Sequence, residues 1–295
     1  MKICISGSSG FIGSAIRDHL SASGFSFARL QRRAPGMPPL IYWEPERGRI
    51  EQDRLEGMDA VIHLAGENIA WRWSAKHKEK VLNSRVKGTK LLCESIAALR
   101  NPPPVFLCAS AVGFYGNRGS EVLDESSAGG DGFLAEVCEA WEEAIEPLWS
   151  TRTRVVSLRF GMVLGRNGGA LRKMYFPFLA GLGGKLGDGQ QYMSWISIQD
   201  TVRAISHCLT TASVRGAVNV VSPNPVTNEE FTKSLAKLLN RPTLLNLPVQ
   251  VLRALFGQMA DELLLASIRV RPDKLLSAGF TFAHKTIGEA LRANI

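Results

Sequence analysis

The strongest constraint on this chain is a glycine-spaced turn set between a short apolar run and an amphipathic one. Lys2–Ser6 reads as a strand, Gly7-Ser8-Ser9-Gly10-Phe11-Ile12-Gly13 follows, and helical periodicity then runs from Phe11 to Ser23 until Gly24 stops it. Each glycine has a task in such a turn. Gly7 permits a sharp bend, Gly10 lets the backbone approach a pyrophosphate, and Gly13 lets the helix pack closely on the strand. The helix start then offers N–H donors and partial positive charge to phosphate oxygens. Ser9, Phe11 and Ile12, between and beside the glycines, complete the candidate loop.

The pattern continues in alternation. Phe25–Leu30, Leu40–Trp43, Ala60–Leu64, Val105–Ser110 and Arg154–Arg159 read as further strands. Ser74 can cap a helix running to about Leu99, and Gly132 can open another running to about Trp149. Strands alternating with amphipathic helices imply an α/β fold, a doubly wound parallel sheet of Rossmann type, over residues 1–160. Beyond Gly161 the glycines crowd together and the pattern becomes mixed, which implies a smaller α/β substrate-side region over 161–295, interleaved at its boundary. Within it, Thr227 to Glu230 has capping-box spacing, and Pro248–Phe256, Asp261–Ala266 and the stretch from Pro272 to Gly279 suggest helices.

The end of the second strand speaks to cofactor choice. Sites that prefer NAD usually place a carboxylate there to hold the ribose hydroxyls. Here the chain reads Arg29-Leu30-Gln31-Arg32-Arg33. Guanidinium groups suit a 2′-phosphate, because arginine donates bidentate, charge-assisted hydrogen bonds. The expected ligand is therefore NADP(H).

Arg85 is out of place. Val81, Leu82, Val86, Thr89, Leu92 and Ile96 share a face of the helix after Ser74, and Arg85 falls in the middle of it. A buried guanidinium needs a carboxylate, carbonyls or a bound ligand. Glu67, just after the fourth strand, is the candidate partner.

Together, the glycine turn, His63-Leu64-Ala65, Gly88-Thr89, Ser110, Tyr115-Gly116 and Trp195 to Asp200 resemble the extended short-chain dehydrogenase/reductase superfamily, which includes nucleotide-sugar epimerases. More narrowly, Ala65 to Ile69, Ser84-Arg85, Trp141-Glu142, Gly187 to Gln191 and a terminal segment from about Leu247 resemble an atypical epimerase-like subfamily of NADP-dependent oxidoreductases. Some of its bacterial members carry a cell-division-inhibitor label, and its terminal segment is a domain of unknown function. The resemblance implies that Gln31 and Arg32 meet the 2′-phosphate, that Leu64 and Ala65 line the cofactor with Gly66 and Glu67 close by, and that Arg85 and Arg159 contact it further along. It also exposes a departure. The superfamily's acid/base pair is Tyr-x-x-x-Lys on the helix after the fifth strand, and alignment on Glu142 puts Leu134 and Cys138 at those positions. The tyrosines are Tyr42, Tyr115, Tyr175 and Tyr192, and none has lysine four residues later. Ser110 and Tyr115 remain as candidate catalytic groups, and Glu67 as a base if burial raises its pKa. Lys185, Gln191 and Trp195 are candidate pocket residues.

Two functions follow. One is an epimerase-like oxidoreductase moving hydride to or from an unidentified carbonyl, alcohol or nucleotide-sugar-like small molecule. The other is a silent NADP(H)-binding sensor or scaffold with a protein partner; a homodimer fits either. Net charge is +8, but the basic residues are scattered and no nucleic-acid-binding signature occurs. No apolar stretch approaches the roughly 20 residues of a membrane span. The five cysteines form no CxxC pair, which fits free thiols in the cytoplasm. Neither a metal-binding His/Cys cluster nor a G-x-S-x-G elbow is present.

Overall fold

An eight-stranded sheet forms the centre of the computed structural model, which describes residues 1–32, 39–243 and 245–295. Its strands are β1 (Lys2–Ser6), β2 (Ser26–Gln31), β3 (Leu40–Glu44), β4 (Arg49–Ile50), β5 (Ala60–His63), β6 (Val105–Ala111), β7 (Arg154–Phe160) and β8 (Gly216–Val220). They lie in the order β8-β7-β6-β5-β1-β2-β3-β4, parallel except for β4, which pairs antiparallel to β3. Because β1 sits between β2 and β5, the strand order reverses there. A crevice opens at the carboxyl edge of such a switch point.

Helix α1 (Phe11–Ala22) joins β1 to β2 and packs with α5 (Ile198–Thr210). Helices α2 (Ala75–Ala97) and α3 (Phe133–Glu143) pack together between the later strands. Central strands buried on both faces explain the continuous apolar runs of β5 and β6. After β7 the chain forms α4 (Gly169–Leu179) and α5, and returns to the sheet as β8. It then continues through α6 (Asn228–Leu239), α7 (Val249–Phe256), α8 (Asp273–Ser277) and α9 (Ile287–Asn294). A second core, around Leu171, Phe178, Trp195, Phe231, Leu235 and Leu291, holds α4, α6 and α9 together.

Ser74 caps α2 as expected, accepting from the His77 N–H, and Thr227 and Glu230 form the capping box of α6. The third helix is shorter than expected. It ends at Glu143, not near Trp149, and a 3-10 turn over Glu146–Leu148 follows. Pro147 has no N–H to donate to the Glu143 carbonyl and disfavours helical geometry at Glu146. The helix expected over Asp261–Ala266 is a π-helical turn over Ala260–Leu264.

That turn supplies the missing cap of α3. The residue before α3 is Gly132, at φ +105°, and no neighbouring side chain caps the helix. Instead Glu262, 128 residues away, accepts the Leu134 N–H through Oε2 at 2.9 Å. A Cβ at position 132 would lie 3.1 Å from that carboxylate, so glycine makes room for it. Removing a helix N-cap costs about 1 kcal/mol. Glu262→Ala should therefore lower unfolding stability by roughly that amount and raise amide exchange over the first turn of α3. Unchanged exchange there would contradict the assignment.

Candidate active site

The crevice begins with backbone touching backbone. Gly7 has φ +67°, and a Cβ on it would sit 2.7 Å from the Leu64 carbonyl carbon. A Cβ on Gly13 would overlap the Gly7 carbonyl oxygen. The Gly10 N–H donates to that same oxygen at 2.9 Å and closes the turn. Gly10 is the N-cap of α1, and no side chain caps the helix. The first N–H groups of α1 are thus left for a ligand. Ser9 is exposed, and Phe11 and Ile12 are half-buried. The Phe11 ring lies under the turn after the short strand Met162–Gly165, where a Cβ at Gly165 or Gly168 would come within 2.6 Å of it.

Two buried side chains set the floor. Ser6 Oγ accepts from the N–H groups of Leu64 and Ala65, at 3.1 and 3.2 Å. It stands 2.6 Å from His63 Nδ1, so the serine donates there and the neutral imidazole carries its proton on Nε2. Nε2 has no partner among the described residues. Desolvation pushes the His63 pKa down to about 4. Gln31 ends β2 half-buried and Arg32 follows it, exposed. Arg33 lies outside the described residues.

Arg85 resolves the misplaced charge with carbonyls. Nη1 donates to the Val81 oxygen at 3.0 Å and Nη2 to the Glu67 oxygen at 3.1 Å. The expected partner thus contributes its backbone, while the Glu67 N–H donates to Ser84 Oγ at 3.0 Å. Gly66 packs against the guanidinium, which lies 4.9 Å from the Trp141 ring centre. Burial lowers the Arg85 pKa, partly opposed by Cys138 and Glu67.

At the ends of β6 and β7, Ser110 and Arg159 are register partners. Ser110 Oγ donates to Glu142 Oε1 at 2.6 Å. Arg159 grips the same carboxylate with two bonds of 2.8 Å, Nε to Oε1 and Nη2 to Oε2. Its Nη1 donates to the Tyr115 hydroxyl at 3.0 Å, and that hydroxyl donates to Asn219 Oδ1 at 2.8 Å. Tyr115 is wholly buried. Burial raises its pKa, against the opposing pull of Arg159 and Asn219. For Arg159, burial lowers the pKa, but Glu142 and Tyr115 outweigh it and the net shift is upward. Ser110 and Tyr115 thus fall in one network. Its hub, Glu142, was not assigned a role from sequence; it entered only through the resemblance, as the neighbour of Trp141 and as the acidic position on which the helix was aligned.

Leu134 packs against Gly113. Cys138, one turn further along α3, is buried, and desolvation and Glu142 push its thiol up to about 11 despite Arg85. On the far side, Gln191 bridges the Leu186 and Leu264 carbonyls, and Trp195 is fully buried in the second core. Lys185 is half-buried, with its side chain near Gly189. Among the described residues there is no His/Cys/Asp/Glu group that could hold a metal, and no helix is long and apolar enough to cross a membrane.

A parallel sheet with a glycine cradle at its switch point defines a dinucleotide-binding α/β protein, and its third helix carries neither tyrosine nor lysine. Residues 3–221 match the NAD dependent epimerase/dehydratase family, and residues 247–293 match a domain of unknown function (DUF1731). The chain belongs to that epimerase/dehydratase family, among the extended short-chain dehydrogenases/reductases. It is 45% identical over 290 residues to epimerase family protein Mb2239 of Mycobacterium bovis, covering 98% of this chain and 96% of that protein. It is 35% identical over 296 residues to human epimerase family protein SDR39U1, covering 99% of each. The crystal structure of human SDR39U1 (isoform 2) with NADPH matches at a TM-score of 0.92 and 35% identity, over 99% of this chain and 98% of that one.

The His63 shift makes a stability prediction. The unfolded chain binds the extra proton between about pH 6.5 and pH 4, where the folded imidazole stays neutral. Stability is therefore full above that window and falls as pH drops through it, by roughly 3 kcal/mol in all. Denaturant unfolding at pH 7 and pH 5 should show about 2 kcal/mol of this loss in the wild type and a smaller one in His63→Gln. Equal slopes would contradict it.

Proposed function

We propose that this chain binds NADP(H) and transfers hydride to or from a carbonyl or alcohol carbon of a small molecule, as an epimerase-like oxidoreductase without the Tyr-x-x-x-Lys pair. The observation that carries the reading is the uncapped start of α1 over a turn where Gly7 and Gly13 admit no side chain. That cradle fits a pyrophosphate. The Gly7–Gly13 loop would hold it, with Ser9, Phe11 and Ile12 alongside. Gln31, Arg32 and Arg33 would meet the 2′-phosphate. Leu64, Ala65, Gly66, Glu67 and Arg85 would follow the dinucleotide along the crevice, toward Ser110 and Arg159. The cofactor supplies the hydride chemistry, and the protein positions and polarises. The NADPH in the human SDR39U1 structure supports the choice of dinucleotide. On this reading residues 1–160 form the cofactor side and 161–295 the substrate side, and the five buried free thiols fit a reducing, cytoplasmic setting.

A second reading has a specific observation in its favour. Helix α3 carries neither tyrosine nor lysine, and the Tyr115 hydroxyl is already committed to Asn219 and Arg159. A cofactor-binding sensor without turnover would tolerate both. Tight NADPH binding with no oxidation across a broad carbonyl panel would select it.

In a fluorescence titration, NADPH should bind at least about tenfold tighter than NADH, the worth of roughly 1.4 kcal/mol of added phosphate contact. Arg32→Ala should remove most of that preference. Equal dissociation constants in the wild type would end the NADP(H) assignment.

A further inference from the structure

Glu142 connects the carboxyl edge of the sheet to solvent. On one side it holds the hydroxyl of Ser110, which is 3% exposed at the end of β6. On the other it lines a groove of about 760 Å³ beside α3, whose walls include Glu139, Glu143, Trp149 and Arg152. We propose that Glu142 is the proton acceptor and store of this site, reached from the substrate through the Ser110 hydroxyl and exchanged with water through the groove. The proposal rests on the oxidoreductase reading above and supplies the acid/base group that reading lacks.

The geometry favours this path over its competitors. Ser110 already directs its O–H at Oε1, so its oxygen keeps lone pairs for a substrate hydroxyl. Arg159 fixes the plane of the carboxylate from behind, and the Phe114 ring lies 3.5 Å over that guanidinium. The Glu142 side chain is 17% exposed, against 6% for Arg159, so water meets the acid first. Tyr115 is spent on Asn219. Cys138 is buried and is absent from the groove walls. The other ionisable groups around Glu142 among the described residues are Arg159 and Tyr115, Cys108 on β6, Cys138, Glu139 and Glu143 on its own helix, and Arg152, Arg154 and Arg215 along the groove.

The balance is simple. In oxidation the substrate's C–H hydrogen leaves with its electron pair to the oxidised nicotinamide. Its O–H proton passes to Ser110 Oγ while the Ser110 proton passes to Glu142 Oε1. Alcohol becomes carbonyl, the nicotinamide is reduced, and the proton on Glu142 is released to groove water. Reduction runs the same path backwards.

Two measurements test the proposal. Without cofactor, the Ser110 hydroxyl proton should give a downfield ¹H resonance that is lost in Ser110→Ala and Glu142→Ala; its absence from the wild type would overturn the geometry. With NADPH and a panel of aldehydes and ketones, Glu142→Ala should keep its NADPH affinity within about threefold yet lose at least about 100-fold in oxidation rate. Millimolar acetate, entering the groove, should restore much of that rate, but none in Ser110→Ala. Glu142→Gln, nearly isosteric, can still hold Ser110 but cannot take its proton, and should stay inactive. If Glu142→Ala fails to fold, Glu142→Gln decides alone. A Gln variant at wild-type rate would overturn the relay and leave the oxidoreductase reading standing. A wild type that binds NADPH but oxidises none of it would fail that reading, and the relay with it.

Discussion

Everything at the crevice depends on how closely the start of α1 can approach the ends of β1 and β5. Backbone meets backbone at Gly7 and Leu64, and again at Gly13 and Gly7. A single Cβ at either glycine would push the helix away from the sheet. Ser6 completes the constraint from below by accepting from two consecutive N–H groups of the neighbouring strand end. His63 can stay neutral in that place only because the apolar floor makes its charged form costly. The cradle is thus held by packing before any ligand contributes.

The second half of the site obeys different physics. Here three elements are joined through one carboxylate. Ser110 comes from β6, Glu142 from α3 and Arg159 from β7. A buried ion pair of this kind contributes little net stability once desolvation is counted, but removing one partner strands the other. Its value lies in fixing directions: the serine hydroxyl, the carboxylate and the tyrosine hydroxyl each have a single committed partner geometry. The C-terminal segment adds to this rigidity by capping α3 through Glu262, so the helix that carries Glu142 is held at its start by a residue beyond the 3–221 stretch that matches the epimerase/dehydratase family.

Local features were legible in the sequence, and contacts between distant residues were not. The glycine turn, the Ser74 cap, the Thr227 capping box and the central strands all declare themselves within a few residues, because spacing alone encodes them. Arg85 was visible as a charge in an apolar stripe, but its partners turned out to be carbonyls, which no side-chain pattern reveals. The end of α3 was missed because the apolar periodicity continues through Ile145 and Leu148, and Pro147 overrides it. Glu142 meets Ser110 across 32 residues and Glu262 meets Leu134 across 128. Such pairs exist only once the sheet order brings α3, β6 and the C-terminal turn together.

The central claim is that the turn after β1 holds a pyrophosphate, with guanidinium waiting at the far ribose. A crystal structure of the protein with NADPH tests it most directly. The account predicts phosphate oxygens within hydrogen-bond reach of the Phe11 and Ile12 N–H groups, the 2′-phosphate against Arg32, and the nicotinamide turned toward Ser110. A dinucleotide bound elsewhere, or one in the crevice with its 2′-phosphate in solvent and its nicotinamide away from β6, would contradict it.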